Sequence, residues 1–142
     1  LERELYFHEK KFDFNVYGNG WDGFTQWRGL LPPLDIGKLY SSAKSGIAII
    51  AKGQREHGMI NNRYTEMAVC GIPIITYNYD TIDWYGAESY LNFISSTSEL
   101  DIMVTNIKHH PENYIDASDE LQKFMLQKDK EFFERLNSLI KE

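Results

Sequence analysis

Two short apolar runs constrain the fold of this sequence more than any other feature. They are Gly46 to Ala51 and Ile72 to Tyr77, and both are rich in isoleucine. Uninterrupted β-branched runs are typical of parallel strands that are covered on both faces. Between them, Met59 to Cys70 has the apolar spacing of a helix, and Gly71 is suited to the left-handed cap that ends one. Strand, helix and strand in this order predict a βαβ unit.

The same alternation extends along the rest of the chain. Further strands are predicted at Phe12 to Tyr17 and Tyr90 to Ile94, and helices begin near Asp35, Thr97 and Glu112. Lys52 to Gly58 is predicted as a polar loop, and Glu112 onward as one long amphipathic helix or a pair. The prediction is a Rossmann-like three-layer α/β sandwich with a mostly parallel sheet. It forms one domain over 1–142, with 1–11 the end of a preceding segment and 112–142 C-terminal helices.

Charge and cysteine content exclude several classes of function. The net charge of −6 argues against broad nucleic-acid binding, which needs a basic face. Cys70 is the one cysteine, so an intrachain disulfide and a cysteine-based zinc cluster are excluded. A lone cysteine and the lack of a signal peptide favour a reducing, cytoplasmic setting. Because the chain begins at Leu1 without an initiator Met, we expect it to be a piece of something longer.

The stretch from Lys52 to Thr76 contains the most informative polar residues. A buried strand ends there, and a helix begins near Met59 with Gly58 before it. Free backbone N–H groups and the positive end of a helix dipole can bind a pyrophosphate, and Gly58 would permit its close approach. Arg63 could neutralise a phosphate, and Glu66, about one turn further on, could accept hydrogen bonds from a diol such as ribose.

The residues from Arg63 to Ile75, RYTEMAVCGIPII, resemble a signature of GT-B glycosyltransferases, Glu-Ala-Met-Ala-x-Gly-x-Pro-Val-Val. The branch of group 1 and spore-maturation CgeB-like transferases is closer still, and its pattern is followed in order by Gly58, Asn61, Arg63, Glu66, Ala68 and Gly71. Asn62 could take the family asparagine position instead of Asn61. Weaker similarity extends from about Phe12 to Pro111.

This resemblance implies the donor-binding C-terminal domain of a retaining-type enzyme that uses a UDP- or GDP-sugar. Glu66 would then hold the ribose hydroxyls, and the backbone of Gly58, Met59 and Ile60 the diphosphate. Arg63 and the helix dipole would stabilise the charge on the departing diphosphate. Other residues would line the donor site: Gly18, Gly29, Leu30, Leu31, Glu56, His57, Asn61 and Asn62. Many members carry a Glu-x7-Glu pair, whose first glutamate would fall at Gly58, so Glu56 and His57 are out of register.

The resemblance also implies what the domain needs besides the donor. No metal and no cofactor is expected, and the sequence has no Asp-x-Asp motif. The expected partner is an N-terminal acceptor-binding domain of the same protein, and peripheral association with a membrane through that domain is left open. The fragment alone is expected to bind nucleotide and to be inactive.

Two other function classes remain as alternatives. A non-catalytic Rossmann-like nucleotide-binding or receiver-like signalling module would share the α/β build. A receiver needs a phosphorylatable Asp at a strand end, whereas these runs end in Ala51 and Tyr77. A sugar-nucleotide epimerase would need acids and histidines from a further domain, and this sequence does not exclude it.

Overall fold

A three-stranded parallel sheet lies at the centre of the computed structural model, which describes residues 14–50, 52–57, 59–77, 84 and 86–140. The strands are β1 (Gly46–Ala48), β2 (Ile74–Tyr77) and β3 (Asn92–Ile94), in the order β1-β2-β3. Both pairings are parallel, with Gly46 opposite Ile74 and Ile75 opposite Asn92. The α/β class and the parallel sheet predicted from the sequence are therefore confirmed, although each strand is shorter than the stretch that predicted it.

Five α-helices surround or follow these strands in the described part of the chain. They are α1 (Ile36–Ser42), α2 (Lys52–Glu56), α3 (Asn62–Val69), α4 (Thr97–His109) and α5 (Glu112–Ile140). Short 3-10 turns at Pro33–Asp35 and Glu88–Tyr90 precede α1 and β3. The choice between one C-terminal helix and two is thus resolved as a single helix of 29 residues.

Two apolar cores lie on opposite faces of the sheet. Ile74 belongs to the first, the α3-side core, together with Met67 of α3 and Leu121 of α5. Ile75 belongs to the second, the α4-side core, together with Leu100 of α4. Because successive side chains of a strand point to opposite faces, one apolar run contributes to both cores. The result is the three-layer arrangement of helix, sheet and helix that the continuous isoleucine runs predict.

The segment before α3 differs from its prediction. Lys52–Glu56 is helix α2 rather than a polar loop, and α3 begins at Asn62 rather than near Met59. The backbone N–H of Met59 donates to the carbonyl of Gln54 at 2.9 Å, so Met59 closes the turn that follows α2. Asn61 then starts α3, because its Oδ1 accepts the backbone N–H of Arg63 at 3.1 Å.

Two other expectations are only partly met. Within the described part of the predicted strand at Phe12 to Tyr17, Val16 forms an isolated parallel bridge with Trp27. The residue before α1 is Asp35, as expected, but its side chain caps no backbone N–H and pairs instead with Lys38 Nζ at 2.8 Å. The left-handed cap at Gly71 is confirmed, with φ at +69°.

Candidate functional site

The start of α3 is attached to the carboxyl end of the sheet by two side-chain hydrogen bonds. Asn61 Nδ2 donates to the carbonyl of Ile49, just beyond β1, at 3.2 Å. Tyr64, in the first turn of α3, has its hydroxyl 2.5 Å from Thr76 Oγ1 in β2. Tyr64 and Thr76 are fully buried, and the ring of Trp84 meets that of Tyr64 edge-on. In open parallel sheets this edge is where ligands bind.

Three consecutive backbone N–H groups, those of Ile60, Asn61 and Asn62, have no acceptor among the described residues. The neighbouring N–H groups are occupied: that of Met59 by the Gln54 carbonyl, and that of Arg63 by Asn61 Oδ1. Of the backbone predicted to hold a diphosphate, Ile60 therefore has an N–H that no described residue accepts, whereas the N–H of Met59 is bonded to Gln54. Gly58 lies outside the described residues.

The side chains around these N–H groups divide by exposure. Asn62 is exposed, and so is Met59, whose residue is 55% accessible. Ile60 is half-buried and packs against the α3-side core. The side chains of Asn61 and Ile60 therefore hold the helix start in place, and only their backbone is available to a ligand.

Arg63 and Glu66 lie on one side of α3, as their spacing predicts. Arg63 is exposed and Glu66 is half-buried, and neither side chain forms a salt bridge or hydrogen bond with the described residues. The charges of both side chains affect the pKa of Tyr40 in α1. Burial raises the pKa of Tyr40, the carboxylate of Glu66 raises it further, and the guanidinium of Arg63 opposes them. A carboxylate and a guanidinium that pair with no described residue thus lie near one phenol.

Glu56 and His57 stand at the end of α2, and both are exposed. His57 directly follows the last residue of α2, and its Nδ1 atom lies 2.8 Å from the carbonyl of Gly53 within that helix. These two residues are therefore positioned by α2, an element that the sequence prediction did not contain.

Gly18 and Gly29 are brought together in a second group. The backbone N–H of Gly18 donates to the carbonyl of Gly29 at 3.0 Å, and Trp27 Nε1 donates to the carbonyl of Gly18 at 2.8 Å. Both glycines have positive φ, +118° and +91°, which side chains rarely adopt. Leu30 after this turn is 65% accessible, and Leu31 is half-buried.

A family profile described as glycosyl transferase-like matches residues 3–137. The chain belongs to the glycosyl transferase-like family. No curated protein and no solved structure gives a match. Family membership assigns this domain a role in glycosyl transfer and confirms the predicted resemblance to glycosyltransferases. It names neither the donor nor the acceptor.

In this glycosyl transferase-like domain, three residues near the site were not predicted from the sequence as part of it. Tyr40 lies on the apolar face of α1 and resembles an ordinary core residue until the contact with α3 is known. Tyr64 and Thr76 lie within the informative stretch, but their buried hydroxyl pair joins two elements. The sequence signal that could have indicated Tyr64 and Thr76 is a side chain with a hydroxyl at a position where the apolar pattern predicts burial.

Two further features concern metal binding and membrane insertion in residues 14–50, 52–57, 59–77, 84 and 86–140. Within those ranges, no group of three or more His, Cys, Asp or Glu side chains could hold a metal ion. None of the helices described here has the length and apolar character needed to cross a bilayer.

Proposed function

We propose that this domain binds the nucleotide-sugar donor, a UDP- or GDP-sugar, of a retaining glycosyltransferase with the two-domain GT-B architecture. The observation that carries the proposal is the arrangement at the start of α3. Three N–H groups without acceptors among the described residues, an exposed arginine and a half-buried glutamate adjoin the carboxyl end of a parallel sheet. A diphosphate joined to a ribose fits this order of donors, cation and acceptor.

The proposed roles follow from charge. The N–H groups of Ile60 to Asn62 and the guanidinium of Arg63 would bind the diphosphate and stabilise the negative charge that grows on it as the sugar leaves. The carboxylate of Glu66 would accept hydrogen bonds from the ribose hydroxyls. The domain supplies no nucleophile in this scheme, because its contribution is to orient the donor and to stabilise the leaving group.

The acceptor-binding domain is proposed as the partner of α5. The second half of this helix exposes large apolar side chains: Leu126, Phe132, Phe133, Leu136, Leu139 and Ile140. Contiguous exposed apolar surface on a soluble helix is typical of an interaction site. A GT-B enzyme needs contact between its two domains. The apolar stripe formed by these six side chains is the surface that supports such a contact.

Calorimetry of the purified chain with UDP, GDP and ADP tests the donor-site proposal. We expect binding of at least one nucleotide, and a roughly tenfold or larger loss of affinity in Glu66→Ala and in Arg63→Ala, because each removes a hydrogen bond to a charged group. Glu134→Ala and Arg135→Ala, on the exposed part of α5, are the matched controls. A folded chain that binds none of the three nucleotides at millimolar concentration would overturn the proposal.

A further inference from the structure

Tyr40 lies where helices α1 and α3 meet. Cys70 Sγ donates to the carbonyl of Gly37 at 3.8 Å, and this contact identifies the faces that meet. Glu66 and Cys70 are four residues apart on α3 and Arg63 is three before Glu66, so these side chains share a face. Tyr40 is one turn from Gly37 on α1. The phenol of Tyr40 is therefore on the side of α1 that faces Arg63 and Glu66.

The two ends of the Tyr40 side chain have different surroundings. The residue is half-buried and packs against the α3-side core. Its hydroxyl forms no hydrogen bond with a described residue. A tyrosine hydroxyl is protonated at neutral pH, and burial and the charge of Glu66 raise the pKa of Tyr40 further. It is a donor near a carboxylate that has no hydrogen-bond partner in the described part of the chain.

We infer that Tyr40 is a specificity-determining residue at the nucleoside end of the site, where its hydroxyl and the Glu66 carboxylate together bind the vicinal hydroxyls of ribose. A ribose hydroxyl both donates and accepts, and a carboxylate can pair only with the donor. Tyr40 supplies the missing donor. The inference rests on the proposed function, since it requires a nucleotide at the start of α3.

The test compares Tyr40→Phe with the unaltered chain by calorimetry. UDP, GDP and ADP are titrated first. The nucleotide that binds most tightly is then replaced by its 2′,3′-dideoxy form. Loss of one neutral hydrogen bond should weaken the ribonucleotide by about threefold to tenfold in Tyr40→Phe. Binding of the dideoxy form should not change, because phenylalanine keeps the packing of the ring. Tyr114→Phe, which alters a tyrosine at the α4-side core, is the matched control and should change neither.

The outcomes separate this inference from the function on which it rests. If Glu66→Ala weakens binding but Tyr40→Phe binds the ribonucleotide as the unaltered chain does, the inference on Tyr40 is overturned and the donor site stands. An equal loss for the ribonucleotide and the dideoxy form also overturns it, since the ring would then act by packing alone. If the unaltered chain binds no nucleotide, both fail together.

Discussion

At Tyr40, two side chains of opposite charge act on one phenol. Glu66 favours the protonated form and Arg63 the ionised form, while burial favours the protonated form most of all. The pKa of Tyr40 therefore shows whether the side chains of Arg63 and Glu66 both lie near the Tyr40 hydroxyl. We predict that Glu66→Gln lowers the pKa of Tyr40 and that Arg63→Gln raises it. NMR titration of ¹³C-labelled tyrosine, with Tyr40→Phe used to assign the signal, measures both.

Glu134→Gln on α5 is the control for the first variant, because it removes the same charge from an exposed part of a different helix. It should leave the pKa of Tyr40 unchanged. Shifts of the same sign in Glu66→Gln and Arg63→Gln would mean that the two variants act through altered packing of α1 on α3. The proposed grouping of these three residues would then be wrong.

The hydroxyl pair of Tyr64 and Thr76 joins the first turn of α3 to β2. Both side chains are buried, so removing either hydroxyl breaks a hydrogen bond that water does not readily replace. We predict that Tyr64→Phe and Thr76→Val each lower the free energy of unfolding by about 1–3 kcal/mol. The double variant should lose less than the sum, because the hydrogen bond between the two hydroxyls is already absent in each single variant. Urea denaturation of all four proteins measures this coupling, and strictly additive losses would contradict it.

Among the elements, those with strong local signals were predicted and those defined by tertiary contacts were not. The isoleucine runs and the glycine at position 71 indicate β1, β2 and the end of α3 without any knowledge of packing. Helix α2 was missed, because five residues with three charged side chains and a glycine carry almost no periodic pattern. The start of α3 was placed too early, since an apolar Met59 extends the helical pattern although its N–H already serves α2.

The candidate site shows the same division. Arg63 and Glu66 were indicated by a sequence signature, and their common side follows from helical spacing. Tyr40 was not indicated, because its place beside them depends on how α1 packs against α3. Asn61 was predicted as a ligand-binding residue, and the structure shows its side chain occupied by the Arg63 N–H and the Ile49 carbonyl. The sequence identifies which residues at the helix start are polar, but the hydrogen bonds that already occupy them depend on the packing of other elements.

Gly71 ends α3 in a conformation that side chains rarely adopt, with φ at +69°. A Cβ there would also lie 3.2 Å from Gln122 Nε2, which donates to the carbonyl of Val69. We predict that Gly71→Ala destabilises the domain by about 1–2 kcal/mol. Gly37→Ala is the matched control, because Gly37 is helical and a Cβ there meets nothing within 4 Å. It should be neutral or stabilising by up to about 1 kcal/mol in thermal denaturation. If both variants lost the same amount of stability, the positive φ of Gly71 could not be the cause of the loss in Gly71→Ala.

At the scale of the whole molecule, α5 divides into two halves with different surroundings. Leu121 and Met125 in the first half are buried in the α3-side core. From Leu126 to Ile140 every described residue is exposed, although the apolar pattern of the helix continues. The continuing stripe therefore contributes little to the stability of this chain by itself. A role in contact with another domain, as proposed above, would account for apolar residues that the fold does not use.

Two leucines on this one helix test that division. Leu121 is 1% accessible and Leu139 is 62% accessible. Leu121→Ala removes buried methyl groups and leaves a cavity, so it should lower the free energy of unfolding by about 2–5 kcal/mol. Leu139→Ala removes side-chain atoms that are already in water, and its effect should stay within about 0.5 kcal/mol. Urea denaturation of the 142-residue chain and its two variants measures both changes in the free energy of unfolding. A loss of several kcal/mol in Leu139→Ala would mean that the second half of α5 is covered in this chain, and the stripe would then be unavailable to an acceptor domain.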